Sequence, residues 1–82
     1  MNILQKVKAC ITQKMLNRNV PKIIAKKCAI EFVNSEITTL EFNEIANKRL
    51  KLEYNNLNIR KVNIGDNVNK ARLLAFTKLE NK

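Results

Sequence analysis

A chain of 82 residues with a formal charge of +9 and no histidine has room for one domain and a modest core. The missing histidine excludes Ser–His and Cys–His catalysis, two cysteines are too few for a zinc site, and a single glycine leaves no phosphate-cradling loop. An apolar content of 45% is enough to fold, and one Gly and one Pro argue against long disorder and for helix over strand.

The charge is uneven: residues 1–34 carry +6, residues 35–56 carry −1 and residues 57–82 carry +4. Such a surplus concentrates anionic partners. Asn, Lys and Ile make up 34 of the 82 residues, the mark of an AT-rich genome such as that of a phage, a virus or an endosymbiont. Codon bias is therefore a competing source of the lysine excess. No secretory signal is expected, because Gln5, Lys6 and Lys8 interrupt the first apolar residues. No run approaches the ~18 apolar residues of a membrane span. The expected compartment is the cytoplasm, or the host cytoplasm for a viral protein, with Cys10 and Cys28 reduced.

In chain order, a first helix is expected over residues 2–17, capped by Asn2, with Ile3, Leu4, Val7, Cys10, Ile11 and Met15 as its apolar stripe. Lys14 falls inside that stripe. Arg18 and Asn19 make a short turn into a second helix, residues 21–34, for which Pro21 suits the first helical position. Its broad apolar face is Ile24, Ala25, Cys28, Ala29, Phe32 and Val33, and Ile23 and Ile30 fall on the opposite side. A helix with two apolar sides is covered either by other helices or by a partner. Cys10 and Cys28 are equally far from Asn19, so in a helical hairpin they are expected to pack near one another as buried thiols.

Thr38 followed by Glu41 is a capping box, and Ile37 and Phe42 form the matching hydrophobic staple. Together they start a third helix, residues 39–55. Its buried face is expected to be Phe42, Ile45, Ala46, Leu50 and Tyr54, with Arg49 and Glu53 paired at i, i+4. Leu57 and Ile59 alternate, then Val62 and Ile64 alternate in the opposite phase, which reads as a bulged strand or an irregular connection. Gly65-Asp66 marks a turn. Asp66 can cap a last helix, residues 67–79, with Val68, Ala71, Leu73, Leu74, Ala75, Phe76 and Leu79 as its apolar residues. The expected fold class is mainly α, a small single-domain bundle of three to four helices. The alternative is a winged helix-turn-helix, with residues 57–64 and 71–79 as a C-terminal β-hairpin.

The leading functional expectation is a small basic non-enzymatic regulator that binds nucleic acid. Lys14, Arg18, Lys22, Lys26, Lys27, Arg60 and Lys61 are placed to straddle phosphates. Asn47, Lys48 and Lys51 share an exposed side of the third helix, and Pro21 to Asn55 permits a helix-turn-helix. Against that stand Glu36, Glu41 and Glu44 at the end of the helix that would enter the groove. The alternative is a protein-binding adaptor or inhibitor, with Ile23 and Ile30 as an apolar anchor rimmed by lysines. The expected partners are nucleic acid or an acidic protein surface, with a homodimer possible, and no small-molecule substrate, cofactor or metal. Ile23 and Ile30 separate the two. Burial inside the monomer beside one continuous lysine patch favours nucleic acid, and exposure favours protein binding.

Overall fold

In the computed structural model the chain forms four helices: α1 (Ile3–Leu16), α2 (Lys22–Asn34), α3 (Thr39–Glu53) and α4 (Asp66–Glu80). The structure describes residues 2–80, and the side chains of residues 2–78. The Leu79 side chain, expected on the apolar face of the last helix, lies outside the described residues. No strand occurs among the described residues, and residues 71–79 are helical. The winged alternative is thereby overturned. Val68, Arg72 and Ala75 are the buried positions of α4, a helical spacing that a strand would have scattered over two faces.

Each helix end has a local cause. Asn2 accepts the Gln5 N–H at 2.8 Å and the Gln5 side chain accepts the Asn2 N–H at 3.3 Å, a complete capping box on α1. Asn19 takes φ 69°, and the Val20 and Asn19 N–H groups bond back to Met15 and Leu16 at 3.1 and 3.0 Å. That is a Schellman turn, and asparagine is among the few non-glycine residues that tolerate its left-handed position. Pro21 sits one place earlier than expected. Its ψ of 143° makes it the cap, and helix begins at Lys22. At α3 the Thr38 hydroxyl accepts the Glu41 N–H at 3.2 Å, with Phe42 buried and Ile37 half-buried against the core. Asp66 is the first residue of α4 rather than its cap. Its carboxylate accepts the hydroxyl of the buried Thr39 at 3.0 Å.

Helix α1 packs between α2 and α4, and α4 also meets α3. The core joins Val7, Ile11 and Met15 of α1 to Ala25, Ala29, Phe32 and Val33 of α2, Phe42, Ala46 and Leu50 of α3, and Val62, Ile64 and Val68. Phe32 and Phe42 meet at a centroid distance of 4.6 Å, tilted by 56°. Full burial of a side chain such as Ile11 or Phe32 contributes about 1.5–3 kcal/mol.

Three expectations about packing are corrected. Cys10 is exposed and only Cys28 is buried. The buried line of α1 runs Val7, Ile11, Met15, and Cys10 lies roughly 100° around the helix from Ile11. Burial pushes the Cys28 thiol above its ordinary pKa, with Glu31 adding to the shift and Arg49 opposing it. Ile45 is exposed, because α3 turns its Asn43–Asn47 edge, half-buried, toward residues 62–64 instead. Arg49 pairs with Glu31 of α2, not with Glu53. Leu73 and Leu74 are exposed on α4, while Arg72 is enclosed at 1% exposure.

Two polar devices hold the C-terminal part. Residues 57–64 run without regular structure. Asn47 accepts the Val62 N–H at 2.7 Å and donates to the Val62 carbonyl at 2.9 Å. Asn43 does the same for Ile64, at 2.7 and 3.0 Å. The match is geometric: residues i and i+4 of a helix are about 6 Å apart along its axis, close to the roughly 6.6 Å that separates alternate residues of an extended chain. Two asparagine amides thus do what a neighbouring strand would do.

Arg72 is the second device. Its guanidinium donates to the carbonyls of Phe32 and Ser35 at 2.9 and 3.1 Å and to the Ile37 carbonyl. It also donates to the Asn69 side chain at 2.8 Å and lies 4.3 Å from the Phe32 ring centroid. These carbonyls lie at and just beyond the C-terminus of α2, where the helix dipole favours a cation, and that of Phe32 also accepts the Ser35 N–H and hydroxyl at 3.1 and 2.8 Å. Desolvation pushes the Arg72 pKa below its ordinary value, and carbonyls take the place of a carboxylate partner.

Candidate functional site

The basic residues separate onto distinct faces. Lys22 and Lys26 meet Lys8 of α1 along a groove of about 490 Å³ between α1 and α2, floored by Leu16, Ala29 and Ile30. Lys27 lies on the other flank of α2 with Glu31, Arg49 and Glu53, where carboxylates offset its charge. The cluster expected from Lys22, Lys26 and Lys27 is therefore divided by the helix itself. Lys14 is half-buried, and its Nζ reaches to 3.8 Å from the position a Cβ on Gly65 would take. Lys48 stands exposed on α3.

A second basic group gathers where the chain leaves α3. Lys51, Arg60 and Lys61 line a groove of about 450 Å³ with Tyr54 and Leu57. Lys61 also borders an adjoining hollow that includes Arg18 and, at its acidic side, Glu44. The Arg60 N–H donates to the Arg18 carbonyl at 2.8 Å, which ties this segment to the α1–α2 turn.

Ile23 is 84% exposed and Ile30 49% exposed. Among the described residues Ile23 is left uncovered, and Ile30 is half covered at the groove with α1. Along α2 they are seven residues apart with Lys26 between them at i+3, so they mark one row about 10 Å long. Lys8 was not anticipated. Its signal is weak, since only the hairpin geometry brings it beside Lys22 and Lys26. Asn47, expected on an exposed side with Lys48 and Lys51, is half-buried, and its amide is occupied by Val62.

Among the described residues no three His, Cys, Asp or Glu side chains gather to hold a metal ion, and no helix is long and apolar enough to cross a membrane. Comparison with known proteins finds no matching family model, no matching curated protein and no matching solved structure.

Proposed function

We propose that the protein is a small non-enzymatic binding module whose α1–α2 face docks an acidic protein partner. One observation carries the reading: Ile23 and Ile30 stand exposed on α2 in a row with Lys26, and the groove beside them holds Lys8, Lys22 and Lys26 with no carboxylate on its lining. Exposed apolar anchors with a charged rim are the anatomy of an interface. The sign of the rim selects a partner with acidic flanks. An amphipathic helix laid along the groove satisfies both demands, with apolar residues on Leu16, Ala29 and Ile30 and carboxylates on the lysines.

Duplex readout by α3 has less support. The end of α3 that would enter a groove exposes Glu41 and Glu44, and the Asn43 and Asn47 amides are committed to the backbone of residues 62 and 64. The test is retention from nuclease-treated lysate by the wild type and by the double variant Ile23→Asp/Ile30→Asp, with circular dichroism as a check on folding. The expected result is a protein retained by the wild type and lost by the variant. Retention that nuclease abolishes, or that the variant preserves, would sink the reading.

A further inference from the structure

We infer that the groove between the end of α3 and residues 57–61 binds single-stranded nucleic acid, independently of the α1–α2 face. Three observations meet there. The first is charge: Lys51, Arg60 and Lys61 line the groove without a carboxylate, and Lys61 leads on to Arg18 in the adjoining hollow. Lys51, Arg60 and Lys61 form a track of cations that a sugar–phosphate chain can follow, with Glu44 bordering the hollow at its Arg18 end.

The second is the floor. Tyr54, Leu50 and Ile59 line the same groove, and Tyr54 and Ile59 are half-buried. An aromatic ring and apolar surface below a row of cations suit unstacked bases, which a duplex keeps inside its own stack. A convex duplex would reach the cations and leave the floor empty.

The third is rigidity. An arm of twelve residues between helices, residues 54–65, would ordinarily spread its charges over many conformations. Here the backbone is held at Arg60 by the Arg18 carbonyl, at Val62 by Asn47 and at Ile64 by Asn43. Val62 and Ile64 point into the core, and Lys61 and Asn63 point out. The backbone that carries Arg60 and Lys61 is thus fixed before any ligand arrives, which lowers the entropic cost of binding.

The experiment is fluorescence anisotropy with a short labelled oligothymidylate, a labelled oligouridylate and a labelled mixed-sequence duplex of equal length. Single strands are expected to bind at least ~10-fold more tightly than the duplex, with affinity falling by about 0.7 log unit per log unit of salt for each phosphate neutralised. Lys51→Glu/Lys61→Glu should lower single-strand affinity roughly 100-fold, and Tyr54→Leu roughly 10-fold, as expected for one lost stacking contact. Lys22→Glu/Lys26→Glu should change it no more than about threefold, since neither side chain lines this groove. Arg60→Glu, at an exposed site, repeats the charge test if circular dichroism shows Tyr54→Leu to be unfolded. Equal affinity for duplex and single strand, equal loss from the Lys22/Lys26 pair, an unchanged Tyr54→Leu that is folded, or no binding at low salt each overturns the inference. None of these variants touches Ile23 or Ile30, so this result and the protein-docking result stand or fall separately.

Discussion

Between α1 and α2 the chain is held by side chains without polar atoms: Val7, Ile11 and Met15 share one core with Ala25, Ala29, Phe32 and Val33. From residue 57 onward, Val62, Ile64 and Val68 reach the same core, but polar bonds govern how they arrive. Asn43 and Asn47 grip the arm, Thr39 holds Asp66, and Arg72 binds the end of α2. Apolar contacts are many and non-directional, so one can be lost and the helices still adjoin. The polar bonds are few and directional, and each leaves a buried group unpaired when it fails. The first half should therefore lose stability smoothly when altered, and the second should come undone at particular positions.

Phe42→Ala tests the apolar side and should have the largest effect, roughly 3–5 kcal/mol, read as a shift in urea midpoint with the slope unchanged. Arg72→Met tests the polar side. It keeps an apolar stem and removes the donors from the carbonyls of Phe32, Ser35 and Ile37, for an expected loss of roughly 2–4 kcal/mol. If Arg72→Met is instead neutral, those carbonyls find water easily and the contrast between the halves is overdrawn.

Asn47→Ala should cost about 1–3 kcal/mol, because the Val62 N–H and carbonyl lose both partners. Hydrogen exchange sharpens the comparison: the Val62 amide should lose protection while amides in α1 and α2 keep theirs. Uniform loss of protection would make the two halves one cooperative unit. Thr38→Ala should have the smallest effect, about 1 kcal/mol, the usual cost of one helix cap. If it matched Phe42→Ala, the cap rather than the aromatic core would be what fixes the start of α3.

The same contrast explains what could be read from the residues alone. All four helices were legible to within two residues, because apolar spacing and capping residues mark them, as Asn2 and Thr38 do, although a hairpin stood as the alternative to the last. The phase change from Leu57 and Ile59 to Val62 and Ile64 was visible as well. Its cause was not, since a side-chain amide that pairs with distant backbone has no period in the sequence. Asn47 read as an exposed helix residue in a chain already rich in asparagine. Arg72 carries no local sign of burial, since it stands in a run whose apolar residues Ala71, Leu73, Leu74 and Ala75 mark the helix without it. At the candidate site, the exposure of Ile23 and Ile30 was one of two outcomes the helix pattern allowed. The division of Lys22 and Lys26 from Lys27 follows from which flank of α2 meets α1, a tertiary fact with no local signal.

The bonds from Arg72 span 35 to 40 residues, back to Ile37, Ser35 and Phe32. Contacts so far apart in sequence close a large loop and form late, whereas the α1–α2 turn closes over a few residues. An interaction absent from the transition state acts on the rate of unfolding rather than on the rate of folding, so Arg72→Met is expected to speed unfolding and leave the folding rate nearly unchanged, read from the two arms of a chevron. During synthesis the first three helices leave the ribosome ahead of α4. Until it follows, the Ser35 and Ile37 carbonyls lack the donors that the arginine supplies.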